Sequence, residues 1–544
     1  MMICSRRLYK GNAYDICLPL ADSGVTLARF YTRGDVIVEK EPEISGDSMC
    51  FSFTEEDLAS LEDGVLRYQV VTDYETTDTN SPYVVATPGD YSGSTLEDLL
   101  EDAYNSGYTA GYESGYTDGK EECGPDYSRE YFTIEAMDDG NLTVRCACDY
   151  SINDGEWVSM TGVTAVPLND GDKVRFRANL ESAESMFEGG NSIAFMVYGN
   201  IESLVHGDDF QGMDTCLYAQ YMFYDCSGLT SAENLVLPAS ELTPRCYAFM
   251  FYGCTSLTTA PKLPAITLAD ICYAGMFYDC RSLAQAPSLP ATTLANNCYD
   301  SMFWGCTILA SAPSLPATTM TESCYSGMFL KCTSLASAPS LPATTLAKSC
   351  YDSMFSGCSS LTTPPELPAT AMAESCYASM FQNCKSLTQA PVLSATTLAK
   401  NCYSSMFLNC KGLATATALP ATTLTEGCYQ NMFSNCTSLT QAPALPATTL
   451  AKSCYSSMFS GCSSLTTAPV LTAASLVDKC YEHLFLNCTS MNSVTCLATN
   501  PDCMSCTAYW LSNVAASGTF VKAPGASWST GSSGIPAGWT VIEA

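Results

Sequence analysis

Basic residues and histidine are scarce in this chain of 544 residues. Lys and Arg together number 24 against 56 Asp and Glu, which gives a formal net charge of −32, and there are 2 histidines. Binding to nucleic acid or to an anionic membrane draws on Lys and Arg side chains that neutralise phosphate groups. The composition therefore argues against both as partners.

Catalytic motifs are also missing. The two histidines, His206 and His483, are far apart in the sequence, and neither has neighbours that suggest a catalytic dyad. The sequence contains no P-loop, GxGxxG, HExxH or GxSxG pattern. We therefore expect no enzyme, no cofactor and no metal centre.

Long apolar runs are absent as well. The segment from Met1 to Lys10 lacks the apolar run and the small-residue cleavage site of a signal peptide. No stretch approaches the roughly 20 apolar residues that a membrane-spanning helix needs. The sequence predicts neither secretion by the general route nor membrane insertion.

Cysteine, in contrast, is abundant, with 31 residues, and most of them follow a period of 26 residues. The first repeat cysteines are Cys246, Cys272, Cys298, Cys324, Cys350, Cys376, Cys402, Cys428, Cys454 and Cys480. The second repeat cysteines follow eight residues later, at Cys254, Cys280, Cys306, Cys332, Cys358, Cys384, Cys410, Cys436, Cys462 and Cys488. A fixed period of this length is typical of solenoid proteins.

The repeat unit reads C-Y-x-x-M-F-x-x-C-x-S-L-x-x-A-P-x-L-P-A-T-T-L-A-x-x, most clearly from Cys350 to Ser375. We expect each unit to form one coil, with a short helical segment at C-Y-x-x-M-F and an extended piece at S-L-x-x-A-P-x-L. This path would point the apolar positions inward, and the prolines would end both pieces early. The sequence predicts a leucine-rich-repeat-like solenoid over residues 211–495, beginning with an imperfect copy near Tyr218 and followed by a C-terminal cap over 496–544.

The repeat cysteines allow two interpretations. They could hold metal ions or form a disulfide lattice, or each could be a small buried apolar residue with a free thiol. Zinc sites usually have cysteines two to four residues apart with histidine partners, and this spacing differs. We expect buried free thiols in the repeats, whereas Cys496, Cys503 and Cys506 have a spacing better suited to a metal site or a disulfide.

The N-terminal part is predicted to be mainly β. Short alternating runs separated by Gly, Asp and Pro predict a β-sandwich anchoring domain over residues 1–93 and a second β-sandwich over 128–210. In the second one, the runs 132–135 and 142–145 flank an Asp-Gly turn of the kind found in hairpins. Hairpin turns also explain 138–141 and 169–172 better than calcium binding does. The whole chain is expected to be a mainly β multidomain protein, with two small sandwiches joined by a helix and followed by the solenoid.

The joining segment, residues 94–122, opens like a capped helix with acidic residues in its first turn. Tyr and Gly then recur every four residues. Because each Gly costs about 1 kcal/mol relative to Ala in a helix, contact between copies of the chain would offset this cost. The interface residues would be Tyr104, Tyr108, Tyr112, Tyr116, Gly107, Gly111 and Gly115. We interpret the segment as an oligomerisation helix of a dimer or trimer, with a flexible linker as the alternative.

Two surface patterns run along the repeats. The position two before the first repeat cysteine alternates in charge over seven units, and we expect adjacent coils to pair these charges. The position after the repeat Phe carries four aromatic residues in successive units: Tyr224, Tyr252, Tyr278 and Trp304. An exposed aromatic stripe suits stacking on sugar rings or contact with a protein surface. The alternative is that these side chains pack beneath the preceding β domain.

The core M-F-x-x-C-x-S-L-x-x-A-P-x-L-P resembles the BspA-type (Treponema-like) leucine-rich repeats over about residues 218–500. The period of 26 and the P-A-T-T segment depart from the family pattern. The resemblance implies surface display and adhesion, as in gut and oral bacteria and the phages that infect them. Residues 131–209 look like the β domain that often precedes such repeats in Bacteroidales and their crAss-like phages, and the first 90 residues resemble the β-sandwich that begins some phage baseplate proteins.

From the resemblance and the predicted lack of an export signal, we expect a phage virion appendage, such as a head or tail fibre, assembled in the host cytoplasm. Its N-terminal domain would contact other virion proteins, and its solenoid would contact a glycan or protein of the host surface. The alternative is a bacterial cell-surface adhesin of the same repeat family. A third possibility, a polysaccharide depolymerase, would need a carboxylate pair on a solenoid face where the repeats have almost no acids.

Overall fold

The computed structural model describes residues 126–189, 191–500 and 505–544 in full, and the backbone of eight strands between Arg6 and Ala86. The chain divides into two compact units, Met1–Pro125 and Asp126–Ala544. The segment proposed as an oligomerisation helix, residues 94–122, lies outside the described residues.

The described strands of the first unit form two sheets. Its strands are β1 (Arg6–Tyr9), β2 (Tyr14–Pro19), β3 (Val25–Thr32), β4 (Asp35–Lys40), β5 (Glu43–Ser45), β6 (Ser48–Phe53), β7 (Gly64–Thr72) and β8 (Thr76–Ala86). One sheet has the order β1-β8-β7-β3-β4, with β1 parallel to β8 and the other pairs antiparallel. The other is antiparallel with the order β2-β6-β5. The expectation of a β-sandwich at 1–93 remains a prediction.

The second unit begins with a β region that shares a sheet with the solenoid. After a 3-10 turn at Tyr127–Arg129 come β9 (Phe132–Ala136), β10 (Gly140–Val144), β11 (Ala147–Ile152), β12 (Val158–Thr161), β13 (Thr164–Leu168), β14 (Lys173–Arg177) and β15 (Phe195–Asn200). Helix α1 (Ser203–His206), a 3-10 turn at Gly207–Asp209 and β16 (Leu229–Val236) follow. A six-stranded sheet has the order β12-β11-β14-β9-β15-β16, and β10 pairs with β13. Because β16 belongs to the first imperfect repeat, the sheet continues into the solenoid.

The expected hairpin at the Asp-Gly turn is wrong. Strand β9 pairs with β14 and β15, whereas β10 pairs antiparallel with β13 in the other sheet. Ile134 of β9 and Leu142 of β10 are both fully buried, because the two strands cover the same core from different sheets. The aspartates of the turn bond outside it, since Asp138 accepts from the Ala194 amide and Asp139 from the Asp170 amide.

The expected helical segment at C-Y-x-x-M-F is also wrong. Each coil instead forms a run of successive tight turns, here named the turn ladder, from the second residue before the first repeat cysteine to the residue before the second repeat cysteine. Alternate amides bond in two directions. The amides of Tyr351, Ser353 and Phe355 donate to carbonyls of the next coil at 3.0, 2.8 and 2.9 Å. The amide of Met354 donates to the Tyr351 carbonyl three residues back, at 3.3 Å.

Left-handed residues at every fourth position produce this path. In the coil of Cys350 they are Ser349, Ser353 and Gly357, with φ of 52, 57 and 79°. A positive φ is least costly for Gly and is tolerated by Asn and Asp. Gly or Asn occupies the last of these positions in most coils, as Gly253, Gly305, Gly357, Asn383, Asn409, Asn435, Gly461 and Asn487. An α-helix cannot include left-handed residues at this spacing, so the turn ladder forms instead.

Side chains stack in columns through the solenoid core. Phe355 and Phe381 of adjacent coils lie with ring centroids 5.8 Å apart and planes 8° from parallel, and Tyr351 and Tyr377 lie 5.7 Å apart at 3°. The same two columns continue over the regular coils. The 26-residue repeat therefore stacks in register, with each core position above its counterpart.

The free thiols of the second repeat cysteines also join the coils. Cys358 donates its S–H to the carbonyl of Phe329, in the preceding coil, at 3.1 Å. The equivalent bond occurs at the other second repeat cysteines and at Cys226. All repeat cysteines are free and fully buried. The prediction of buried free thiols is confirmed, and each second thiol has a specific acceptor.

On the outside, oppositely charged residues pair between coils. Three pairs carry the alternating pattern: Glu322 with Lys348 at 3.0 Å, Lys400 with Glu426 at 3.2 Å, and Lys452 with Asp478 at 3.7 Å. All six side chains are about half exposed, so the pairs contribute little individually. They nevertheless separate like charges along the solenoid.

Two further coils extend the array beyond the regular repeats. At the start, Ala183–Gly189 bonds to the imperfect repeat, and Phe187 stacks on Phe223 at 5.2 Å. At the end, residues 506–513 accept the bonds of the Cys480 coil, and Trp510 stacks on Tyr481 at 6.3 Å. The first of these coils lies within the range predicted as the second β-sandwich.

The C-terminal end is covered by a small parallel sheet. It contains β17 (Ser493–Cys496), β18 (Thr519–Lys522) and β19 (Thr540–Glu543). The indole N–H of Trp510 donates to the Gly534 carbonyl at 2.8 Å, and that of Trp539 donates to the Ala515 carbonyl at 2.9 Å. Cys496 has a free thiol, whereas Cys506 is disulfide-bonded. Cys503 lies outside the described residues.

Candidate functional site

The four aromatic residues after the repeat Phe form one continuous column, here named the aromatic ladder: Tyr224, Tyr252, Tyr278 and Trp304. Tyr224 and Tyr252 stack with centroids 4.6 Å apart and planes 7° from parallel, and Tyr252 and Tyr278 stack at 4.6 Å and 15°. Trp304 follows at 5.0 Å and 38°. All four are partly exposed. In-register stacking of the coils therefore places them together on the surface.

The ring faces of the aromatic ladder are largely covered by one another. At the Trp304 end, the ammonium of Lys331 lies over the indole, 5.7 Å from its centroid. At the Tyr224 end, Glu188 of the preceding coil lies close to the aromatic ladder. The amide of Gly189 in the same coil donates to the Tyr224 carbonyl at 2.9 Å. The ladder therefore presents ring edges and phenol hydroxyls to solvent more than ring faces.

A second, shorter aromatic column borders the aromatic ladder. Tyr221 and Phe249 stack at 5.3 Å and 10°, and both occupy left-handed positions of the turn ladder. Tyr221 meets Tyr224 edge-on, with planes 78° apart. Together with Tyr252 and Glu188, these three side chains line a shallow pocket of about 350 Å³.

Carboxylate side chains lie beside the aromatic ladder. Asp225 and Asp279 follow two of the ladder tyrosines, and Gly253 lies between them in the intervening coil. A Cβ at Gly253, whose φ is 71°, would lie 2.1 Å from an Asp225 carboxylate oxygen. Burial, followed by repulsion from Asp279 and Glu188, raises the pKa of Asp225. Asp279 also pairs with Arg281, at 2.8 Å.

Partial burial, followed by neighbouring carboxylates and tyrosines, raises the pKa of Tyr224 and of Tyr278. Both phenols therefore remain protonated at neutral pH and can donate hydrogen bonds. A column of hydroxyl donors bordered by carboxylates can form hydrogen bonds with polar groups of a ligand.

The thiols of the second repeat cysteines are not placed for chemistry. Burial raises the pKa of the Cys254, Cys280 and Cys332 thiols far above the usual range. A thiol needs to become a thiolate to act as a nucleophile or a metal ligand. Over residues 126–189, 191–500 and 505–544, no group of three or more His, Cys, Asp or Glu is arranged to hold a metal ion.

A buried polar cluster lies where helix α1 meets the first coils. The side chain of Glu202 is fully buried, and one of its oxygens lies 3.3 Å from His206 Nε2. The same nitrogen lies 2.8 Å from the Thr215 hydroxyl. Burial raises the pKa of Glu202 to about 7, with the charges of Cys216 and Asp214 acting in the same direction. Sequence patterns gave no signal for this cluster, because its members match no known motif and are brought together only by the path of the chain between helix α1 and residues 214–216.

The structure describes some of the site residues predicted from the sequence and leaves others outside its described part. The aromatic ladder residues come together and are not buried beneath the β domain, although their binding role remains a prediction. The second column was missed, and the aromatic residues that precede the ladder positions by three, Tyr221 and Phe249, were its available signal. The proposed interface residues, Tyr104, Tyr108, Tyr112, Tyr116, Gly107, Gly111 and Gly115, lie outside the described residues.

No helix within the described part of the chain is both long and apolar enough to cross a membrane. A search of the curated proteins found no match. Among solved structures, a complex of TLR13 with ssRNA13 aligns at 12% identity, covering 60% of this chain and 50% of that one. Its TM-score of 0.20 is too low to support an argument.

The sequence profile of the BspA type leucine-rich repeat region matches at residues 217–336, 247–388, 298–440 and 425–509. Together these matches span the solenoid and more than half of the chain. The in-register coils and the columns of Cys, Phe and Leu agree with this assignment, and the fold is mostly β with very little helix in its described part. The chain belongs to the BspA-type leucine-rich repeat family.

Proposed function

We propose that this chain is a non-catalytic surface-recognition protein whose solenoid binds its ligand through the aromatic ladder. Repeats of this family suggest adhesion or recognition at a surface. The observation that carries the proposal is the partly exposed column of Tyr224, Tyr252, Tyr278 and Trp304 on four adjacent coils. Later coils carry Leu, Ser or Gln at this position, so the column marks one end of the solenoid.

The geometry favours a protein ligand over a carbohydrate ligand. Stacking on a sugar ring needs an open ring face, and here each ring covers its neighbour. Ring edges and phenol hydroxyls instead suit polar and aromatic groups of a protein, and tyrosine is enriched in such interfaces.

Labelled protein binding to intact cells of gut Bacteroidales tests the proposal. The cells are used untreated, after protease treatment, and after periodate oxidation of their glycans. We expect saturable binding that protease removes and periodate spares. Binding that only periodate removes would replace the protein ligand by a glycan, and binding to none of the cells would contradict recognition of these surfaces.

This function is compatible with display of the protein on a phage particle or on a bacterial cell. The finer proposal is a phage virion appendage in which residues 1–93 contact the particle and residues 94–122 oligomerise, supported by the resemblance of the first 90 residues to the β-sandwich that begins some phage baseplate proteins. The alternative is a bacterial cell-surface adhesin. Mass spectrometry of purified phage particles and of bacterial envelopes decides between them, because the chain should be found in only one.

A further inference from the structure

Two cysteines lie close together where the segment that leads into the imperfect repeat meets the first regular coil. Cys216 is partly exposed and Cys246 is fully buried. Thr243, whose amide nitrogen and hydroxyl both contact the Cys216 sulfur, also accepts the amide of Cys246 through its carbonyl at 3.3 Å, so the sulfur of Cys216 lies beside the turn that ends at Cys246. The amide of Ala219 donates to the Cys246 carbonyl at 2.7 Å, so the two stretches of backbone lie side by side.

The surroundings of Cys216 stabilise a thiolate. Its sulfur lies 3.4 Å from the amide nitrogen of Thr243 and 3.6 Å from the hydroxyl of the same residue, and both can donate to it. The neighbouring Cys246 thiol, followed by the hydrogen bonds from Thr243, lowers the pKa of Cys216 to about 6. Cys246 retains its proton, because the neighbouring Cys216 and burial raise its pKa.

The charges near this pair favour its oxidation. A Cys216 thiolate lies near the buried Glu202 carboxyl, and both Cys216 and Asp214 raise the pKa of Glu202 by repulsion. A disulfide is neutral, so its formation removes one negative charge from beside Glu202. His206, which lies 3.3 Å from Glu202, remains in place.

We propose that Cys216 and Cys246 form a disulfide by exchange with a small-molecule disulfide of the glutathione class. The Cys216 thiolate attacks one sulfur of the small molecule, forms a mixed disulfide and releases one small-molecule thiolate. Cys246 then loses its proton, attacks the Cys216 sulfur and releases the second small-molecule thiolate. Two protein thiols are thereby oxidised, and one small-molecule disulfide is reduced to two thiols.

The thiols of the second repeat cysteines provide an internal contrast. The second repeat cysteines are fully buried, their pKa values are raised, and their S–H groups are donated to Phe carbonyls. They lack the exposure that reaction with a small-molecule disulfide needs. The proposed oxidation therefore involves Cys246 and none of the second repeat cysteines, and it joins the segment at Cys216 to the first regular coil, independently of what the aromatic ladder binds.

The test incubates the reduced full-length chain with oxidised glutathione, alkylates free thiols under native conditions and maps peptides without reduction. We expect a peptide joining Cys216 to Cys246, with Cys254 unmodified by glutathione. The Cys246→Ser variant should instead retain glutathione on Cys216, and Cys216→Ser should yield neither product. Closing this loop should raise the Tm of the wild type by about 5 °C.

Two results would overturn the proposal. One is a wild-type chain in which Cys216 remains open to alkylation after oxidation. The other is a wild-type chain that retains glutathione on Cys216, as the Cys246→Ser variant should, because Cys246 would then not reach the mixed disulfide. Circular dichroism of both serine variants establishes that they are folded before either result is interpreted.

Discussion

At the residue scale, the side chains of the turn ladder satisfy the backbone as well as fill the core. The second repeat cysteine donates its S–H to a Phe carbonyl of the preceding coil, and that carbonyl already accepts an amide from its own coil. Asn at the last left-handed position of the turn ladder also joins adjacent coils, through hydrogen bonds between side chains. Asn409 donates its side-chain amide to Asn383 at 3.0 Å and accepts from Asn435 at 2.9 Å.

Cys358→Ala should lower the free energy of unfolding by about 1–2 kcal/mol, because it removes the bond to the Phe329 carbonyl and leaves a small cavity. Urea denaturation followed by circular dichroism measures the effect. Glu366→Ala, an exposed change in the same coil, is the control and should have almost no effect. Equal stability of the two variants would mean that the thiol bond contributes nothing.

Asn409 separates backbone strain from side-chain bonding. Asn409→Gly and Asn409→Ala both lose the bonds to Asn383 and Asn435, but only Ala has a Cβ at the observed φ of 62°. We expect Ala to be less stable than Gly by about 1 kcal/mol in the same urea assay. If Ala were as stable as Gly, the left-handed conformation at this position would be contradicted.

Glu202 should make stability depend on pH. Its folded pKa of about 7 lies above its ordinary value of 4.5, so its contribution is fully present below pH 4.5 and is lost as the pH rises through 7. Glu202→Gln should match the wild type near pH 5 and exceed its stability at pH 8 by on the order of 2 kcal/mol. Denaturation at both pH values measures this, with the exposed Glu184→Gln as the control. A constant difference across this range would contradict the raised pKa.

At the scale of elements, the coil as a unit was predictable from the sequence, but its local structure was not. The period of the cysteines and the apolar positions predicted in-register stacking and buried thiols. The close spacing of Tyr, Met and Phe also fits a helical turn, so it could not exclude a helix. The contrary signal was Gly or Asn directly before the second repeat cysteine, as at Gly357 and Asn383, because these two residue types adopt a left-handed backbone at the lowest cost.

The alternating charges test the stacking of these elements. Lys348→Glu would place a third carboxylate between those of Glu322 and Glu374 in the adjacent coils, whereas Lys348→Gln only removes the pairing at 3.0 Å. We expect the Glu variant to have the lower Tm at low ionic strength, and the difference should shrink in about 1 M salt because exposed charges are screened. Thermal denaturation in both buffers measures it. An unchanged difference in high salt would mean that the charges do not face one another.

At the scale of the whole molecule, parallel strand pairing links the β region to the solenoid and continues to its cap. Strand β15 pairs with β16, single bridges such as Gln285 with Ser311 continue the pairing, and Ser493 of β17 joins it to the terminal sheet. The sequence predicted a sandwich followed by a separate solenoid. The sequence did not reveal the coil at Ala183–Gly189. The coil that follows it in space comes more than 26 residues later in the chain, and the coil at Ala183–Gly189 contains no repeat cysteine.

The aromatic ladder is the molecular surface on which the proposed function depends, and it has a matched control within the same solenoid. Tyr252→Ser and Tyr278→Ser change two ladder rings, whereas Gln382→Ser changes the equivalent position in a later coil. All three positions are partly exposed, so the variants should fold like the wild type.

The decisive measurement is the binding isotherm of the labelled full-length chain on gut Bacteroidales cells, compared between the Tyr252→Ser/Tyr278→Ser double variant and Gln382→Ser. We expect the double variant to bind at least about tenfold more weakly, because aromatic anchors dominate such interfaces, and Gln382→Ser to bind like the wild type. Equal binding by all three proteins would contradict recognition through the aromatic ladder.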